Sequence, residues 1–239
     1  MSPEPGAVSV RPSVVRAFIS YAHVDRAFAG QAQRVLAAVG IEAFLAHEDL
    51  EVSEDWRGRL LQELARCHLF VQLLSRDYLA STWAQHEAGY IVSRLSDGVV
   101  VAPLSLDSTR SGGFLGHIQS PGVGGNGITQ VLLVEPLVPR YPRTILPRLI
   151  DAASRAGSFR HAETLIAPLV RFFSIFSPDE AQTFADASVR NGQIWSAALC
   201  ASDYLPKFIR AQGSNLKPET LRALEYQIIK QEWYRPEMA

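Results

Sequence analysis

Through the first half of the chain, short runs of β-forming residues alternate with stripes of helical period. Residues 15–21 read VRAFISY, a strand. Within residues 25–39, Phe28, Ala32, Val35, Leu36 and Val39 then recur at i, i+4, i+7, i+8 and i+11, one face of a helix. Gly40 stands where a C-terminal glycine ends such a helix. Residues 41–45 (IEAFL) predict a second strand, and an acidic loop over 47–55 follows. Trp56, Leu60, Leu64 and Cys67 then mark the inner face of a second helix. Residues 68–74 (HLFVQLL) are too continuously apolar for a half-exposed strand, which predicts a central strand covered on both faces. Ser75 precedes a long helix over 77–94, and 99–106 (VVVAPLSL) predict a fourth strand. After a Gly/Ser-rich stretch over 107–127, residues 128–135 (ITQVLLVE) predict a fifth. Strands that alternate with helices in this way form a parallel sheet, because parallel neighbours need crossover connections and helices supply them.

Beyond Pro136 the period-2 signal disappears, and helices are expected over about 143–156, 161–176, 179–190, 193–211 and 218–234. Ser177, Pro178 and Glu180 make a capping box with proline at the first helical position. Leu165, Leu169, Phe172, Phe173 and Phe176 line the face of the helix before it. The expected organisation is a flexible tail over 1–14, an α/β domain over 15–137 and an all-α domain over 138–239. Charge follows the same division: residues 1–135 carry 10 basic and 14 acidic side chains, residues 136–239 carry 13 and 10.

The whole chain of 239 residues has a formal net charge of −1, which argues against a polyanion-gripping protein, so no nucleic-acid partner is expected. Apolar runs are too short for a membrane span and the N-terminus is no secretory signal, so a cytoplasmic protein is expected. Cys67 and Cys200 are too few for a disulfide framework or a thiolate metal site, and none of the six histidines stands at H-x-x-x-H spacing. No metal is expected. Gly122, Gly124 and Gly127 satisfy G-x-G-x-x-G on paper, but Pro121 precedes them and a strand is expected to follow, not the strand-to-helix context of a dinucleotide fingerprint.

A stronger constellation gathers at one edge of the expected sheet. Ligands of open parallel sheets bind at the carboxyl ends of the strands. Ser20 and Tyr21 end the first strand there, the acidic loop follows the second, and the helix after Ser75 begins beside them. Trp83 and Glu87 are i and i+4 on that helix, with Tyr90 a turn further on. A carboxylate on an aromatic helix face is either a surface group beside a half-buried tryptophan or part of a site.

These residues carry a resemblance. Ala17-Phe18-Ile19-Ser20-Tyr21 resembles the first signature box of TIR (Toll/interleukin-1 receptor) domains, and Gly40 to Leu45 with the acidic loop resembles their second strand and BB loop. Ser75, Tyr78, Ser81, Trp83 and Glu87 are similar to the family's S-x-x-Y-x-x-S-x-W-x-x-x-E stretch. The resemblance covers about residues 15–135 and is closest to the bacterial type, whose members often cleave NAD+. It implies a flavodoxin-like five-stranded parallel sheet. It also implies that NAD+ is a substrate rather than a cofactor, and that the nicotinamide–ribose bond breaks to give linear, cyclic or transferred ADP-ribose. Glu87 would be catalytic, with Ser20, Tyr21, His23, Phe44, Asp49 and Trp83 binding the substrate. Ala46 and Ser53 depart from the family's usual Asp and Gly around the BB loop, which weakens the transfer of loop roles to His47, Asp49 or Glu51.

One carboxylate suits this reaction. Nicotinamide in NAD+ is already a cationic leaving group and needs no general acid, unlike the glycosidic oxygen that ordinary glycosidases protonate. The expected role is an NAD+-consuming enzyme of prokaryotic antiphage immunity, assembled as a homo-oligomer through TIR–TIR contacts, with a downstream effector responding to any signal it makes. The alternative is a noncatalytic scaffold using the same contacts.

Overall fold

The structure, a computed structural model, describes residues 14–46, 54–125 and 127–230. His47, Asp49, Glu51, Ser53 and Trp233 lie outside the described residues, as does the tail over 1–13.

Four strands, β1 (Arg16–Ser20), β2 (Glu42–Leu45), β3 (Leu69–Leu74) and β4 (Val100–Ser105), form one parallel sheet in the order β2-β1-β3-β4. The α-helices of the first half are α1 (Arg26–Ala37), α2 (Glu54–Arg66), α3 (Arg76–Ala80), α4 (Thr82–Ser93) and α5 (Gln130–Leu133). Those of the second are α6 (Pro142–Ser154), α7 (Phe159–Ile166), α8 (Pro178–Arg190), α9 (Gly192–Trp195), α10 (Leu205–Gln212) and α11 (Pro218–Ile229). The α/β class with a parallel sheet is as the alternation of patterns predicts. Every residue of β3 is buried, as its unbroken apolar run requires.

In the second half, the helix expected over 161–176 gives way to a 3-10 helix at Ala167–Ile175, and that over 193–211 is divided into α9 and α10 with a π-helical turn, Cys200–Tyr204, before α10. Two expectations about the first half are corrected as well. The sheet has four strands among the described residues, and residues 128–135 supply α5 instead of a fifth. Gln130, Leu133, Val134, Leu137 and Val138 are buried at helical spacing, with Ile128 and Glu135 buried beside them, and Pro136 has no N–H to give a ladder. Beside β4 there is a single parallel bridge, Ser105 to Gly122. Ser105 N–H donates to the Pro121 carbonyl at 2.9 Å and Val123 N–H to the Ser105 carbonyl at 2.8 Å. The long helix expected over 77–94 is two helices, because Ser81 is extended (φ −76°, ψ 116°) between α3 and α4.

Strand alternation divides the core. Ala17, Ile19, Leu69, Val71, Leu73, Ala102 and Leu104 face Ala29, Ala32 and Leu36 of α1 and continue without a break into the second half, through Leu133, Leu149, Leu165 and Phe173 to Phe208. Phe18 and Phe70 face the other way, against Leu60 and Leu64 of α2 and Ile91 of α4. The boundary drawn at 137/138 falls between two buried members of the larger cluster. Hydrogen bonds and packing tie the second half to the N-terminal edge of the sheet. Arg148 of α6 donates to the Gly40 carbonyl at 2.6 Å, and Tyr141 donates to the Gly98 carbonyl at 3.3 Å. At Gly98 (φ 84°) the backbone is in the left-handed region that favours glycine, and a β-carbon there would displace the Arg140 guanidinium that lies against it.

Candidate functional site

The opposite, C-terminal edge holds the polar groups. Ser20 ends β1, fully buried, on the face toward α2 and α4. Tandem N-caps bring the next elements to it: Ser75 Oγ accepts from Tyr78 N–H at 3.0 Å to start α3, and Ser81 Oγ accepts from Ala84 N–H at 3.2 Å to start α4. The two serines of the S-x-x-Y-x-x-S motif are therefore successive helix starts, and α4 runs from there along the face of the sheet, its end at Arg94 bonding to the Leu64 and Cys67 carbonyls before β3.

Glu87, on α4, is only 4 % exposed. The Ser20 hydroxyl donates to its Oε2 at 2.5 Å, and the Tyr78 hydroxyl lies 3.2 Å from Ser20 Oγ and 3.4 Å from the Ala84 carbonyl. Burial pushes the Tyr78 phenol well above its ordinary range. Hydrogen bonds from Ser20 and Gln72 oppose that rise, and the nearby Glu87 charge adds to it. Gln72, on β3 beside Ser20, accepts from the Ser111 hydroxyl at 2.5 Å. A carboxylate held this way can face a developing positive charge without water competing for it.

Aromatic groups gather on the same side of the sheet as the carboxylate. Trp83, four residues before Glu87 on α4, meets Trp56 edge-on at 5.3 Å and His86 at 6.2 Å. Phe44, half-buried on β2, packs on Phe18 at 5.4 Å, with the Arg59 guanidinium 5.8 Å above its ring. Phe44, Trp56 and Tyr90 all pack on the same cluster beneath α2 and α4. The structure thus brings Ser20 to Glu87, and puts Phe44 and Trp83 on the α2/α4 side of the sheet. Tyr21 is not brought with them: it is buried in the cluster under α1, on the other face. His23 is exposed in a 3-10 turn, His23–Asp25, just beyond β1. Asp49 lies outside the described residues.

Sequence reasoning missed Gln72 and Ser111. Gln72 had a signal, a lone amide inside the apolar run HLFVQLL. It also missed the contact of Ser75 Oγ with Asp25 Oδ2 at 2.6 Å. Burial raises the Asp25 carboxyl above its ordinary value, Ser75 opposes this, and the charges of Asp77 and Asp107 reinforce it. Among the described residues no group of three or more His, Cys, Asp and Glu is placed to hold a metal ion. Nor is any helix among them long and apolar enough to cross a membrane.

The family model for the TIR domain matches residues 17–123, a span that includes β1 to β4, Ser20, Gln72 and Glu87. No curated protein matches the chain.

Proposed function

Starting from a TIR domain at residues 17–123, we propose that the chain is an NAD+ nucleosidase whose Glu87 carboxylate stabilises the ribosyl cation left when nicotinamide departs. The observation that carries this reading is the buried Glu87–Ser20 pair at the carboxyl ends of the strands. The scissile bond joins a positively charged pyridinium nitrogen to C1 of the ribose. As it breaks, the electron pair leaves with nicotinamide, which becomes neutral, and the positive charge passes to the ribose. A fixed negative group helps most at that moment, because its attraction grows as the charge moves onto the sugar. Trp83 and Phe44 offer flat apolar surface for the nicotinamide ring. Water, or a nucleophile from the same or another molecule, then closes the linear, cyclic or transferred ADP-ribose product. Contacts between TIR domains assemble the active form, and NAD+ loss or a signal made from it acts in defence of the cell.

Incubation of the purified chain with NAD+ over a concentration series, with products separated by chromatography, tests the reading. Nicotinamide release is expected, steeper than first order in protein where assembly completes the site. Glu87→Gln, nearly isosteric, is expected to lower the rate at least about a hundredfold while the thermal midpoint stays near that of the parent. Unchanged turnover in that folded variant rejects the assignment. Specific capture of another TIR domain with no NAD+ loss at any concentration would establish the scaffold instead.

A further inference from the structure

On the α1 side of the sheet, the face away from Glu87, a cleft of about 740 Å³ opens where the two halves of the chain meet. The first half contributes Val35 of α1 and Gln130 of α5, and the second contributes Arg160, Glu163 and Thr164 of α7 together with Tyr204. Clefts of this size hold small organic molecules.

The lining carries polar groups that packing does not call for. Gln130 is 6 % exposed, yet no hydrogen bond joins its side-chain amide to another described residue. Leu133 and Val134, a turn further along, belong to the core, and an apolar side chain at 130 would bury beside them without leaving an amide unpaired. Among the described residues the only sealed side-chain polar atom without a partner is Ser105 Oγ, so the Gln130 amide is not sealed and opens onto the cleft that it lines. Arg160 is exposed at the rim and pairs with no carboxylate among the described residues. Glu163 Oε1 accepts the Leu199 N–H at 2.9 Å, at the start of the π-helical turn Cys200–Tyr204. That turn ends with Tyr204 at the cleft, and π turns are rare and concentrate at functional sites.

We propose that this cleft is a second ligand site and that it takes a nucleoside monophosphate carrying adenine. Each part of such a molecule meets a partner in the lining. The Arg160 guanidinium suits the phosphate. The Gln130 amide, donor and acceptor side by side, matches the donor and acceptor on the edge of adenine, whereas guanine offers two acceptors at the same edge. Glu163 keeps its second carboxylate oxygen for a ribose hydroxyl, as acidic residues do in dinucleotide sites. Its charge, three residues from Arg160, disfavours a ligand with several more negative charges. Tyr204 and Leu199 offer flat and apolar surface for the base. The site does not depend on whether Glu87 breaks NAD+, because nothing in it turns over.

Calorimetry of the full chain with adenosine monophosphate (AMP), adenosine and guanosine monophosphate tests the proposal, in the parent and in Arg160→Met, Gln130→Leu and Glu87→Gln. AMP is expected to bind one site per chain and to raise the thermal midpoint, with guanosine monophosphate at least about tenfold weaker. Arg160→Met is expected to weaken AMP about tenfold or more while adenosine changes less than about twofold. Gln130→Leu is expected to weaken AMP and adenosine alike and, by removing the unpaired amide, to raise the midpoint of the ligand-free chain. Glu87→Gln is expected to bind AMP as the parent does, since it lies on the other face of the sheet. No saturable binding up to about 5 mM AMP overturns the proposal. So does AMP binding that survives Arg160→Met undiminished, or that is lost in Glu87→Gln. Arg160 is exposed, so that variant decides the matter whatever Gln130→Leu does to folding.

Discussion

His68, the residue before β3, couples stability to pH through one nitrogen. Its Nδ1 accepts the Arg16 backbone N–H at 3.2 Å, which only the unprotonated nitrogen can do, and its ring meets Tyr141 edge-on at 5.7 Å. Burial lowers its proton affinity below the ordinary histidine value, and the charges of Arg94 and Arg16 lower it further. The sign follows. The unfolded chain binds the proton more readily, so this contribution is complete above the ordinary value of about 6.5 and is lost as pH falls toward the depressed folded value. The thermal midpoint of the parent is therefore expected to fall as pH is lowered from about 7 to 5, and His68→Asn to flatten that slope. An equal slope in the variant would remove His68 from the explanation. The pair it joins, the start of β1 and the start of β3, belongs to the sheet edge remote from Glu87, so nicotinamide release should not follow the same titration.

At the scale of elements, α4 carries Glu87 and its direction is set by the break at Ser81. Ser81→Ala removes the acceptor for Ala84 N–H and is expected to destabilise the chain by about 1 kcal/mol, as N-cap losses commonly do. Because α4 then starts less firmly, nicotinamide release should fall more than in Ser177→Ala. That serine caps α8 through an equivalent bond, Glu180 N–H to Ser177 Oγ at 3.3 Å, in the second half of the molecule. Equal loss in the two variants would mean that the Ser81 cap has no special tie to the site. The caps also show what a sequence discloses. Gly40, the Ser177 box and the apolar run of β3 are local signals, and the structure repeats them. The break at Ser81 was equally local, yet a second cap inside a helical stripe is hidden when the stripe continues across it. Residues 128–135 failed for another reason: a short apolar run fits a buried strand or a buried helix equally, and packing against α1 and the following helices decided it. In the site, Ser20 and Glu87 were legible through their motif. Their contact with each other, and that of Ser111 with Gln72, join residues 67 and 39 positions apart and became visible only once the chain was folded.

For the whole molecule, the two halves differ in charge and texture but share one interior. The cluster under α1 runs from Val15 to Ile228, and the hydrogen bonds to Gly40 and Gly98 hold the second half along the N-terminal edge of the sheet. On the NAD+ reading proposed above, the acidic first half would have to take an anionic dinucleotide at the C-terminal edge by local donors and apolar surface, since its net charge does not attract one. A shared interior also predicts how the molecule comes apart. The two cysteines report on different places: Cys67 lies under α2 on one face of the sheet, and Cys200 lies in the second half, within the larger cluster. Burial pushes the Cys67 thiol up to about 11 and the Cys200 thiol up to about 12, so both should react with a disulfide reagent at least about a hundredfold more slowly in the native protein than in the unfolded chain. If the interior is one cooperative unit, the two thiols become reactive at the same denaturant concentration, read separately by mass spectrometry of the labelled peptides. Reaction of Cys200 at a clearly lower concentration than Cys67 would mean that the helical half opens alone, and that the sheet with its Glu87 site holds its structure without it.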